Sequence, residues 1–296
     1  MLQLEDRQCS RMPWASRGAL LCRRRKDSEV QPVLFSIFGV DVQSYGVSKA
    51  AAALLAAYVL GRAFTHRGLR RDDAHALVMW ATIWGFVGAK VYFLLEHADE
   101  VTWHHLGGSG FTWYGGLVGG VASFLVVARR RHLPTAVVVD AAVIPLTLAY
   151  GVGRVGCWLS GDGTYGKPTT LPWGAALPDA TVATDVPVHP TPLYEALAAV
   201  AIAAVLWALQ RRWRPDFELL GAYLVLSGVA RFLVELLRLN EHVLLGLTQP
   251  QIWAASSILS GVAVISHGRA RTRARSPLQR PAIDEAMAGR EPARRR

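Results

Sequence analysis

The sequence predicts an all-α, polytopic membrane protein of seven transmembrane helices, with its N-terminus outside and its C-terminus in the cytoplasm. Three observations carry this. Of the 296 residues, 52% are hydrophobic and only 18% charged, too apolar a mixture for a soluble domain of this length. The apolar residues gather in seven runs, each near the roughly 20 residues that cross a bilayer. Arginine clusters fill alternate loops, the pattern of positive-inside topology. The net charge of +10 could point to nucleic acid, but the arginines lie in short clusters between apolar runs with little aromatic interleaving, so no nucleic-acid partner is expected.

In chain order, residues 1–31 read as a basic, disordered tail containing Arg23, Arg24, Arg25 and Lys26, without an apolar stretch of signal-peptide length. Residues 32–268 form the transmembrane domain. Its spans are expected at 44–63, 74–96, 111–128, 136–153, 192–210, 219–237 and 248–267. They are rich in Ala and Gly, so the helices must bury small or polar faces against one another. Residues 269–296 read as a second basic tail, on the cytoplasmic side.

The loops give the orientation. Arg62, Arg67, Arg70 and Arg71 follow the first segment, Arg129 to Arg131 the third, and Arg211, Arg212 and Arg214 the fifth. Residues 97–110 carry no Lys or Arg, and the loops after segments four and six carry few. The first set is assigned to the cytoplasm and the second to the outside. The N-terminal cluster runs against the rule, but it lies near the distance limit at which such charges count.

Polar residues within apolar runs are then placed by depth. Tyr45 opens segment one; Lys90, Tyr92 and Glu96 close segment two; Trp113 and Tyr114 open segment three. Arg154 closes segment four inside Gly151–Gly166, GVGRVGCWLSGDGTYG, where a guanidinium is costly unless something binds it. His189, Tyr194 and Glu195 open segment five, and Arg231, Glu235 and Arg238 lie in the outer half of segment six. Six helices thus bring hydrogen-bonding or titratable groups to one leaflet, an arrangement suited to an anionic lipid.

Simpler readings stand beside this one. Aromatic residues at helix ends are commonly interfacial anchors. Gly115, Gly116, Gly119 and Gly120 form small-xxx-small pairs, which more often mark helix packing than ligand contact. Arg231, Glu235 and Arg238 share one helix face, so an internal salt bridge competes for the glutamate. One glutamate cannot neutralise those two arginines together with Arg154, and the surplus charge favours an anionic ligand. GDGTYGK at 161–167 has P-loop spacing, but Pro168 follows where Ser or Thr is needed. Cys9, Cys22 and Cys157 have no metal-ligand spacing, so no metal is expected.

GFVGAKVYF, FTWYGGLVGG, GVGRVGCWLSGDGTYG, HPTPLYEAL and GVARFLVELLR occur in this order between about Phe35 and about Ile265. In that order and spacing they resemble the prolipoprotein diacylglyceryl transferases. The resemblance implies a seven-helix bacterial inner-membrane enzyme, without cofactor, acting at the outer leaflet. Its substrates would be phosphatidylglycerol, drawn from the membrane lipid, and a prolipoprotein signal peptide with its lipobox cysteine. Diacylglyceryl would pass to the cysteine thiol as a thioether. Arg154 and Arg231 match the family's arginines and, with Tyr114, are the catalytic residues it implies. Tyr45, Gly115, Gly116, His189, Tyr194 and Glu195 match family positions for lipid binding or site support. So do Glu235 and Arg238, and Cys157, Ser160 and Asp162 complete the substrate-binding set.

The chain also departs from the family. Tyr114 stands where His is usual, Cys157 where Asn is, Ser160 and Asp162 where Asn and Glu are, and Lys90 where Arg is. Histidine is a base near neutral pH, whereas a tyrosine of pKa about 10 is better suited to hydrogen-bonding a headgroup. Three readings remain: a diverged transferase, a non-catalytic relative binding anionic lipid or lipoprotein, and a lipid or small-anion transporter. The last is disfavoured by the lack of internal repeats and of charges near the midplane.

Overall fold

The computed structural model describes residues 9–11, 20–22, 30–37, 40–98, 110–212 and 217–274. Among them are seven α-helices: α1 (Ser44–His66), α2 (Arg71–Glu96), α3 (Trp113–Arg130), α4 (Thr135–Ser160), α5 (Thr191–Leu209), α6 (Glu218–Glu235) and α7 (Gln249–Ala274). Four small antiparallel hairpins accompany them: β1 (Cys9–Arg11) with β2 (Leu20–Cys22), β3 (Val33–Ile37) with β4 (Val40–Gln43), β5 (Ala175–Leu177) with β6 (Thr184–Val188), and β7 (His242–Leu244) with β8 (Leu247–Thr248). The basic clusters at 23–26 and 275–296 lie outside the described residues.

The expectation of seven membrane spans needs correction. Four helices, α1, α2, α4 and α5, are long and apolar enough to cross a membrane. The other three fail for reasons visible in their residues. α3 has only 18 residues and ends on Arg129 and Arg130. α6 has 18 and contains Glu218, Arg231 and Glu235. α7 opens on Gln249, Pro250 and Gln251 and interrupts its apolar run with serines. The assigned sides of the two termini fall on residues outside the described set.

The helices pack where small residues permit. α2 and α3 meet through Gly85 and Gly88 against Gly115, Gly116, Gly119 and Gly120; a Cβ on Gly88 would sit 3.2 Å from Gly119 Cα. α6 and α7 approach in the same way, Gly221 against the Gly261 carbonyl. Leu60 and Phe64 of α1, Leu77 of α2, Ala128 of α3 and Val138 of α4 form a buried cluster at one end of the bundle. Val143, Leu206, Leu219 and Ala222 join α4, α5 and α6. Large apolar side chains such as Leu54, Leu95, Leu197 and Leu259 face outward, as lipid-facing surfaces do.

α4 is tied to α6 near its start: buried Asp140 accepts the backbone N–H of Leu220 at 2.9 Å, satisfying one of the donors that the first turn of α6 leaves free. At its other end α4 stops on Gly161, which adopts a left-handed φ of 61° and donates to the carbonyls of Cys157 and Trp158, the geometry that favours glycine after a helix. The segment before α1 is fastened there too, Gln31 N–H to Leu159 O at 2.9 Å. The start of α1, the end of α4, the start of α5 and the end of α6 therefore gather at one end of the bundle.

Candidate functional site

At that end, arginines from α4, from α6 and from the segment just past α6 converge on two buried carboxylates. Glu195, in the first turns of α5, has a side chain only 3% exposed. It accepts from Arg154 Nη2 of α4 and from Arg231 Nη1 of α6. Arg238, just past α6, brings Nη1 to 4.0 Å from the same carboxylate. Glu235 lies one helical turn beyond Arg231, its side chain fully enclosed, with Arg231 Nη2 at 3.4 Å and Arg238 Nε at 3.8 Å. Asn240 Nδ2 and Thr248 Oγ1 donate to its other oxygen, the latter at 3.0 Å. Burial and the neighbouring Arg231 push Arg238 below the usual arginine pKa, against the pull of Glu195.

Two carboxylates against three guanidinia leave this cluster with one surplus positive charge. Lys49 of α1 adds to it: its Nζ would lie 3.4 Å from a Cβ on Gly153, beside Arg154. A bundle interior tolerates such an excess only when an anion or water screens it. The guanidinium planes of Arg154 and Arg231 are fixed by Glu195, so they are oriented before any ligand arrives.

The remaining candidates have different surroundings. Cys157 is buried and accepts from Arg154 Nη1 at 3.6 Å. Tyr45 stacks under the Lys49 ammonium, 4.8 Å from its ring centre. His189 Nδ1 lies 3.3 Å from the Tyr194 hydroxyl, which accepts from Trp173 Nε1 at 2.7 Å. Of these, Cys157 touches Arg154 and Tyr45 touches its neighbour Lys49, whereas His189 and Tyr194 bond to each other. Ser160, by contrast, donates to the Cys157 carbonyl at 3.1 Å, and Asp162 accepts from the backbone N–H and hydroxyl of Thr164. Both hold the loop after α4 in shape. Gly115 and Gly116 serve the α2–α3 contact, where packing accounts for them. Tyr114 stacks on Trp113 and on Trp253 of α7, at 5.3 and 5.8 Å between ring centres.

The loop after α4 is threaded into the site. Gly166 N–H donates to His189 O at 2.9 Å and Lys167 N–H to Leu237 O at 2.7 Å. A Cβ on Gly166 would meet the Cβ of His189 at 2.9 Å, so the chain passes there only as glycine. Lys167, Glu235, Arg238, Asn240, Thr248 and Gln251 border a cleft of about 270 Å³ beside the arginine cluster.

A family model described as prolipoprotein diacylglyceryl transferase matches residues 32–267. The chain belongs to the prolipoprotein diacylglyceryl transferase family. It is 29% identical over 215 residues to a phosphatidylglycerol–prolipoprotein diacylglyceryl transferase of Clostridium tetani, covering 71% of this chain and 86% of that one. A protein of the same name from Paenarthrobacter aurescens is 31% identical over 265 residues, 81% and 82% of the two chains. One from Frankia alni is 31% identical over 240 residues, 76% of this chain and 62% of that one. With four helices able to cross a bilayer and bacterial relatives, this member of a transferase family is a multi-pass bacterial membrane protein. Three residues of its site escaped the sequence reading: Lys49, Asn240 and Thr248. Lys49 could have been found, since it is a cation inside an apolar run. Asn240 and Thr248 carried no such signal, because only the fold of the 236–248 segment brings them to Glu235.

Proposed function

We propose that this chain transfers diacylglyceryl from phosphatidylglycerol to the lipobox cysteine of a prolipoprotein, in the bacterial inner membrane. The observation that carries the reading is the convergence of Arg154, Arg231 and Arg238 on Glu195 with positive charge left over. Phosphatidylglycerol brings one negative charge, matching the one guanidinium left over from the two carboxylates.

The chemistry asks for little beyond electrostatics and position. The cysteine thiolate attacks the glyceryl carbon that carries the phosphate ester oxygen. A C–S bond forms, the C–O bond breaks, and glycerol phosphate leaves with the electron pair. Arg154 and Arg231 hold the phosphate and stabilise the charge that grows on the departing oxygen; preorganised donors of this kind typically contribute a few kcal/mol, about 3. Glu195 and Glu235 keep the arginines in place. In this reading His189 and Tyr194 meet the headgroup, and Cys157 packs under Arg154. The nucleophile belongs to the substrate, and a free cysteine has a pKa of about 8.5.

The test is thioether formation by the purified chain on a lipobox peptide with phosphatidylglycerol in detergent, read by mass spectrometry, together with rescue of a cell depleted of its own transferase. Product in the first and growth in the second are expected. Absence of thioether while phosphatidylglycerol still protects the protein from heat would leave the non-catalytic lipid-binding reading in its place.

A further inference from the structure

The β7–β8 hairpin, between α6 and α7, is aliphatic where a hairpin is ordinarily polar. Leu244 pairs with Leu247, leaving Leu245 and Gly246 as a two-residue turn. Both have positive φ, 51° and 73°, the type I′ conformation in which Asn or Asp precedes glycine. Leucine is poorly suited to that position, because its Cβ crowds the backbone in the left-handed region. Here it stands there 91% exposed. A turn residue that disfavours its own turn and covers nothing within the chain is kept for a contact outside it.

Three observations identify that contact. All three residues of β7 are exposed, and successive strand residues point to opposite faces, so Val243 and Leu244 present apolar surface on both sides. A protein partner would cover one face, whereas a lipid phase wets both. Second, exposed Leu233 of α6, Leu236, Leu239, the hairpin and Trp253 of α7 form a succession along the chain whose single Lys or Arg, Arg238, is drawn inward toward Glu195 and Glu235. Third, the β3–β4 hairpin leads into α1 at the same end of the bundle and likewise exposes Val33, Leu34 and Phe35.

We propose that the β7–β8 hairpin is a membrane-surface anchor: its tip, residues 243–247, enters the acyl edge of the bilayer beside the site and thereby holds the segment that supports Glu235. The roots make the second half of that statement concrete, since Asn240 and Thr248, on either side of the tip, both donate to Glu235. The depth of the tip does not depend on what reaction the arginine cluster performs.

The experiment uses the full chain in phosphatidylglycerol-containing nanodiscs. Cys9→Ser and Cys22→Ser are introduced, an environment-sensitive fluorophore is attached through Val243→Cys, and the signal of the same chain lacking Val243→Cys is subtracted to remove any label on Cys157. Blue-shifted emission, quenched more by lipids with a nitroxide just below the headgroup than by aqueous iodide, is expected. Leu244→Asn with Leu245→Asn should move the probe into water; Asn suits the left-handed turn position, so the hairpin keeps its fold. Iodide-accessible emission with the leucines present would overturn the proposal. So would lipid quenching that persists with both asparagines, or protection that arises only when a lipobox peptide is added.

Discussion

Replacing Glu195 with Gln removes the charge on which the site is built, while keeping the side chain's size and one acceptor oxygen. The native cluster carries three guanidinia and two carboxylates; the variant carries three and one, so the excess of guanidinia over carboxylates doubles. Breaking a buried ion pair by neutralising one partner costs about 3–5 kcal/mol. Because the amide oxygen can still accept from Arg154 or Arg231, the lower end, about 3 kcal/mol, is expected. With an unfolding entropy of about 2.1 cal/mol/K per residue, a chain of this size should lose roughly 5 °C of melting temperature. Thermal unfolding in a fixed detergent measures this, with and without inorganic phosphate. Phosphate should recover more of the melting temperature in Glu195→Gln than in the parent, since an anion can take the place of the lost carboxylate. Arg154→Gln should also cost less in the Glu195→Gln background than alone, by about 0.5–3 kcal/mol. An unchanged melting temperature, or strict additivity of the two substitutions, would refute the idea that Glu195 is the hub.

Arg154→Gln or Arg231→Gln should each remove about 2 kcal/mol or more of transition-state stabilisation, roughly 30-fold in kcat/KM, with Lys restoring only part because it lacks the planar fork; full thioether formation by either Gln variant would contradict the assignment. Tyr114→Phe should reduce the rate only modestly, and the parent's pH profile should follow the substrate thiol, rising toward about pH 8–9. Tyr114→His should shift that rising limb to lower pH, which initial rates across the range will show. Gly88→Ala forces a Cβ into the α2–α3 contact and should cost about 1–3 kcal/mol of stability with little change in KM; an unaltered melt would mean that those helices do not pack as described.

Much of the architecture could be read from hydropathy, and the limits of that reading have physical causes. Each of the seven apolar segments contains a helix, because runs such as 136–153 have nowhere else to satisfy their backbone. The count of spans failed because hydropathy windows blur two kinds of helix: those that meet lipid along their length, like α5, and those that give part of it to charge, like α6 with Arg231 and Glu235. Arg154, Arg231, Glu195 and Glu235 stood out because charges in apolar runs are costly. That both arginines converge on Glu195 was not legible, since nothing local distinguishes it from Glu235 as a partner. That Ser160 and Asp162 bond within the loop after α4 was not legible either, although short polar residues after a helix often fold the loop that follows.

The two ties between α4 and α6 make their lengths interdependent. Asp140 meets the start of α6 at Leu220, and Arg154 meets Arg231 through Glu195. Fourteen residues separate the two contacts on α4 and eleven on α6, about 21 Å and about 16 Å of rise, close to four and three whole turns. Each pair of contacts therefore lies nearly on one face of its helix. A single residue inserted between Leu220 and Arg231 would turn Arg231 by about 100° away from Glu195 while leaving Leu220 in place. The segments 140–154 and 220–231 act as matched rulers, in which many substitutions can be absorbed but a change of length cannot.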